Sequence, residues 1–140
     1  MANVLYNTAM EYIAKGSVNF ATHSFMYAVL TAGYTPAASH GVWADLSSGE
    51  TAGAGYTGGG QLMTGLSVNL SQGSNYVYID ANNVVISNSS INGRYGVIYD
   101  TTQVSDAVVC LQDYTTSYTS SNGNFSVAFA NTGFLLMSQP

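Results

Sequence analysis

The residues able to do chemistry are few and scattered. The only imidazoles are His23 and His40, the only thiol is Cys110, and Asp80, Asp100, Asp106 and Asp113 are acids that a fold could pair across a cleft. Acyl transfer needs a serine raised on a sharp turn with a base beside it. The nearest approach to G-x-S-x-G, Gly65-Leu66-Ser67-Val68-Asn69, lacks its second glycine. His23 falls in a strand-like segment, where a hydrogen-bonded, partly buried ring is expected. His40 lies beside Trp43 in a loop and is expected at a surface or interface. Glycoside hydrolysis needs two carboxyls about 5–10 Å apart. The four aspartates all fall at expected strand ends, where Asp ordinarily serves turns.

Phosphate chemistry has one formal match. Gly53-Ala54-Gly55-Tyr56-Thr57-Gly58 reads G-x-G-x-x-G, with Asp80 about twenty residues further on, the spacing of a ribose-binding acid. That motif works only between a buried strand and a helix N-terminus. Here polar, turn-like residues precede it and Gly59-Gly60-Gln61 follows, so an ordinary glycine-rich loop is expected. No Lys follows a glycine run, which removes a P-loop. Two distant histidines and one cysteine do not make a metal ligand set, and Asp80-Ala81-Asn82-Asn83 reads as a turn rather than a calcium loop. Cys110 sits in the run Ala107-Val108-Val109-Cys110-Leu111, where a thiol behaves as a buried small hydrophobe. The expectation is a protein that is not an enzyme, with no catalytic residues, no cofactor and no metal.

What remains for function is surface. Trp43, Tyr56, Tyr76 and Tyr78 are aromatics that stack on sugars or anchor a protein partner. Tyr76 and Tyr78, two apart on a strand, share one sheet face. The composition points the same way. Hydrophobic residues make up 46% of the 140-residue chain, but charged residues only 6%, against about 25% in an average globular protein. Disorder requires the reverse of both, so the chain folds. Ser, Thr, Asn, Gly and eleven tyrosines replace the ions. Such a surface can be covered by another protein without stranding charge.

Net charge is −5, and Lys15 and Arg94 are the only cations. Two cations cannot neutralise a phosphate backbone or an anionic bilayer, so neither nucleic acid nor membrane is an expected partner. The opening residues lack the pattern of a signal peptide, which predicts synthesis and folding in a cytoplasm.

The elements follow from periodicity. Leu5, Ala9, Met10 and Ile13 give one apolar helical face, ending at Gly16 after Lys15, with Glu11 four residues before that lysine. Phe25, Tyr27 and Val29 alternate along a strand within 19–31. A long loop at about 32–60 follows, with a helical turn expected at 40–46. Short strands are then predicted at 61–71, 75–80, 83–87, 91–99, 106–113, 123–130 and 133–138. Asn131-Thr132-Gly133 is expected to close a hairpin between the last two. The reading is one mostly β domain over 1–140, an antiparallel β-sandwich or barrel, jelly-roll-like, with a short N-terminal helix.

Five phrases in order also carry a resemblance. They are Met1-Ala2-Asn3-Val4-Leu5-Tyr6-Asn7, Ser24-Phe25-Met26-Tyr27-Ala28-Val29-Leu30 running into Thr31-Ala32-Gly33-Tyr34-Thr35-Pro36, Gly53-Ala54-Gly55-Tyr56-Thr57-Gly58-Gly59-Gly60, Arg94-Tyr95-Gly96-Val97-Ile98-Tyr99-Asp100, and Ser121-Asn122-Gly123-Asn124-Phe125-Ser126-Val127. Over nearly the whole chain this order is similar to that of small structural proteins of tailed-phage virions. The chain departs from them in its very low charge, most noticeably between Asp106 and Pro140. The resemblance implies a place in the particle, often as a capsid decoration or cement protein, and it transfers no catalytic residue. The expected partners are the major capsid protein and further copies of the chain, with a trimer favoured, at the capsid surface of the virion. Asn3, Val4, Leu5 and Tyr6, with Trp43, Tyr56, Tyr76 and Tyr78, are the expected contact residues. The alternatives are a neck, tail or fibre component, or a glycan-binding module.

Overall fold

Phe25, Tyr27 and Val29 alternate with Met26, Ala28 and Leu30 along β2 (Phe25–Leu30), and the two sets enter different cores. This strand is therefore covered on both faces, which explains its nearly unbroken apolar run. The computed structural model describes residues 2–138, and for Ala2, Asn3 and Val4 it describes the backbone.

The remaining elements are β1 (Ala2–Leu5), α1 (Asn7–Ala14), α2 (Trp43–Leu46), β3 (Gln61–Leu62), β4 (Ser67–Ser71), β5 (Tyr76–Asp80), β6 (Val84–Ser89), β7 (Asn92–Asp100), β8 (Ala107–Thr119), β9 (Gly123–Val127) and β10 (Leu135–Ser138). All strand pairs are antiparallel. The central sheet has the order β1-β8-β7-β2-β3. Against it stand a three-stranded sheet, β10-β5-β4, and a two-stranded sheet, β6-β9.

One core joins Phe25, Tyr27, Val29, Ile98 and Val109 of the central sheet to Ile79 and Leu135 of the three-stranded sheet and Val84, Ile86, Phe125 and Val127 of the two-stranded one. The other lies on the opposite face, where Leu30, Val97, Tyr99, Val108 and Leu111 meet Tyr6, Ala9, Tyr34 and Leu46. The layers are thus small sheets, large sheet, then α2 and the loop, while α1 reaches both cores, with Ala9 in the second and Tyr12 and Ile13 against the first. Of the two expected architectures the sandwich is the one formed. The barrel is not, because the sheets pack face to face without closing into a cylinder.

The long segment after β2 carries the second core. Tyr34 and Leu46 are buried, α2 supplies the expected helical turn, and Val42 bridges to Ala107 at the start of β8. The expected strand at 61–71 divides into β3 and β4. The expected terminal hairpin also differs: its turn is present, with Gly133 N bonded to Ala130 O at 2.8 Å, but its arms join different sheets. β9 pairs with β6 and β10 with β5. Burial decides this, because Phe125 and Leu135 each reach the shared core from separate sheets.

Candidate interaction surface

The few charges are spent inside the chain. Glu11 pairs with Lys15, and Arg94 with Asp113. Asp45 Oδ2 accepts from the amides of Gly41 (2.9 Å) and Val42 (3.3 Å), and these bonds hold its carboxyl below the ordinary range. Glu50 Oε1 accepts from the Tyr56 hydroxyl and the Gly59 amide, both at 2.7 Å. Asp80 bonds the Ala81 amide at 2.9 Å. Among the described Asp, Glu, Lys and Arg side chains, Asp106 alone lacks an ion pair or a side-chain hydrogen bond.

His23 and Asp100 form the most chemically suggestive pair. His23 Nδ1 lies 2.5 Å from Asp100 Oδ2, and Asp100 is completely buried. Its other oxygen accepts from the amides of Thr102 (2.9 Å) and Gln103 (3.2 Å). A carboxylate orienting an imidazole is half of a nucleophile-activating system. The other half is missing: among the described residues no hydroxyl or thiol is bonded to the His23 ring. The pair instead ties the turn before β2 to the end of β7, beside Thr101 Oγ1 donating to Ser24 O at 3.0 Å. His40 Nδ1 lies 2.7 Å from the Tyr34 hydroxyl, which lies 3.0 Å from that of Tyr6.

The glycine loop is a packing device. A Cβ at Gly53 would stand 2.1 Å from Ser90 O, and one at Gly55 2.4 Å from Asn88 O. Both positions are glycine because this loop lies against the backbone of residues 88–90. β3 follows it rather than a helix, so the loop does not open a helix as a dinucleotide-binding motif must. Cys110 is buried, and burial pushes its thiol up to about 12. Among the described residues no three of His, Cys, Asp and Glu gather where a metal could be held, and no helix is long and apolar enough to cross a membrane.

The expected contact residues are dispersed. β1 is paired along β8, with Val4 opposite Leu111 and Leu5 opposite Cys110. The side chains of Asn3 and Val4 lie outside the described part. Leu5 is half-buried against both cores, and Tyr6 is buried beside Tyr34, which leaves its ring nothing to offer outside. Trp43 stacks on Tyr99, centroids 4.7 Å apart and 4° from parallel. Tyr56 is half-buried, its hydroxyl taken by Glu50 and by the Val29 amide. Tyr76 and Tyr78 are half-buried neighbours with centroids 5.8 Å apart.

Two surface features had no sequence signal that singled them out. On the three-stranded sheet, Val68–Ile79–Leu135 and Leu70–Val77–Met137 form successive rows on one face. Ile79 and Leu135 are in the core, whereas Leu70 is 65% and Met137 43% exposed. This apolar face therefore runs past the end of the sandwich into solvent. The second feature is a cleft between the end of β8 and β9, lined by Tyr114, Tyr118, Thr119, Asn124, Phe125 and Ser126 among others.

Comparison with known proteins identified no relative: no family model matches the chain, and no curated protein or solved structure matches it significantly.

Proposed function

We propose that the chain is a structural protein of a tailed-phage particle, a capsid cement or decoration protein that self-associates, as a trimer, and bridges neighbouring major capsid proteins. The proposal assigns it no catalytic step. The observation that carries this reading is the surface. Its ions are tied up within the fold, while Leu62, Val68, Leu70, Val104, Leu136 and Met137 stand exposed. A standard interface removes about 1,600 Å² from water. Covering uncharged side chains over such an area avoids the penalty of dehydrating ions, and many copies on one shell add avidity. The resemblance of the ordered sequence phrases to those of small virion proteins supports the same role.

The test is quantitative mass spectrometry of purified particles of the phage that encodes the chain, scaled to the major capsid protein. A copy number comparable with that protein is expected. A count of about a dozen or fewer, as at a neck or tail, would replace the cement assignment. Absence from the particle would remove the virion role.

A further inference from the structure

We propose that the cleft between the end of β8 and β9 is a binding site for a neutral glycan. Its volume is about 490 Å³, within the range of small-ligand sites. Thr115, Thr119, Asn124 and Ser126 bring hydroxyl and amide groups to it, and no ionisable acid or base other than the two tyrosine phenols lines it. Neutral hydrogen-bonding groups around an open aromatic ring match a ligand rich in hydroxyls and C–H faces, and offer an acidic or basic ligand no counter-charge.

The aromatic floor is fixed from below. Phe125 sits directly over Gly93, where a Cβ would come within 2.7 Å of its ring. Tyr114 contacts Phe125 with centroids 6.1 Å apart, and its hydroxyl is held by Tyr27. Tyr118 meets Tyr114 edge-on at 6.3 Å and 71°, and is 55% exposed, so ring surface is open to a ligand.

The wall is built in an uncommon conformation. Between the pairs Gly93–Tyr118 and Tyr95–Asp113, residues 114–117 stand opposite Arg94 alone. Within that bulge Thr115 has φ 68°, a left-handed geometry that a β-branched residue rarely adopts. Asp113 Oδ1 accepts the Thr115 amide at 2.7 Å and holds it there. Strained residues of this kind concentrate where a ligand is gripped. The same bulge argues against an added peptide strand, because it interrupts the regular ladder of backbone groups that strand addition requires.

The site stands independently of the virion role and is tested on the purified full-length chain. The probes are an array of neutral glucose-, galactose-, mannose- and N-acetylglucosamine-based oligosaccharides, with hits titrated by calorimetry and mapped by amide NMR shifts. Binding is expected to perturb residues 114–119 and 124–128. Tyr118→Ala and Asn124→Ala, both at exposed positions, are each expected to weaken it by about tenfold, with Tyr76→Ala unchanged. Mapping on the unmodified chain decides the matter if a variant fails to fold. Absence of binding to every neutral probe at about 10 mM, shifts confined to another surface, or selective binding of acidic glycans or extended peptides would overturn the proposal.

Discussion

The Tyr27 hydroxyl donates to Gln112 Oε1 at 2.7 Å, and this sets the direction of its second bond: the Tyr114 hydroxyl, 2.6 Å away, donates to Tyr27. A hydroxyl has one proton, so the chain runs Tyr114 to Tyr27 to Gln112. All three residues are buried, and Gly96 makes room for them, since a Cβ there would stand 1.8 Å from the Tyr27 oxygen. Tyr27→Phe removes both the donor to Gln112 and the acceptor for Tyr114. It is expected to cost about 2–4 kcal/mol, whereas Tyr114→Phe, which removes one donor, costs about 1 kcal/mol. Urea unfolding of the two variants checks the order. Equal losses would mean that the bonds run otherwise.

Alkali should unfold the chain early. Burial raises the phenols of Tyr6, Tyr27, Tyr56 and Tyr114 above their ordinary 10.0, takes Tyr99 up to about 12, and takes the Cys110 thiol from 9.0 to about 12. Between the unfolded and folded values the unfolded chain has lost protons that the folded chain keeps. Stability therefore falls as pH rises, beginning near 9 with the thiol and steepening above 10. Urea melts from pH 7 to 11, read beside phenolate absorbance, should show these tyrosines ionising with unfolding. Ionisation ahead of unfolding would contradict the burial.

The helix and β2 were legible because each carries its own period. Ala9 and Ile13 before Gly16 mark α1, although Leu5, expected on the same apolar face, lies in β1 and Met10 is 50% exposed; the alternation of Phe25, Tyr27 and Val29 marks β2. Pairing was not legible, since it depends on which core a strand reaches. Asn131-Thr132-Gly133 promises a hairpin on local chemistry, yet Phe125 and Leu135 are drawn into separate sheets. β8 runs six residues beyond its expected end at Asp113. Those residues, Tyr114 to Thr119, are mostly polar and exposed, so no hydrophobic pattern marks them, and the cleft they form was invisible for the same reason. The ring of Tyr6 looked available for contact only because nothing local reveals Tyr34 beside it.

Asp45 should contribute to stability in a pH window set by its lowered carboxyl. The amides of Gly41 and Val42 stabilise its ionised form, placing the folded value below the ordinary 3.8. The contribution is thus present above 3.8 and disappears as pH falls through the folded value. Asp45→Asn should melt at a lower temperature than the unmodified chain at pH 7. The difference should close under acid, once both side chains are neutral. Asp45 is exposed, so the effect is small and weakens with salt. A gap that persists unchanged below the folded value would assign the role to the shape of the side chain and not to its charge.

Self-association is expected to depend on apolar contact and hardly at all on salt. Leu70 and Met137 share a row that leaves the core and ends in solvent, with Val68 one row closer in. Both cations are engaged in ion pairs within the chain, so none is left to attract another copy, and the −5 on each copy supplies only a repulsion that salt weakens. Raising the ionic strength from 0.05 to 0.5 M shortens the Debye length from roughly 14 to 4 Å, which would dissolve a charge-driven assembly. Here the association constant measured by sedimentation should change by less than about threefold. Leu70→Glu places an ion in the apolar row at a site that is already exposed, so folding should survive while association weakens by about tenfold or more. Strong salt dependence with an inert Leu70→Glu would shift the interface to another surface. A salt-insensitive assembly broken by that one substitution would place it on the overhanging face of the three-stranded sheet.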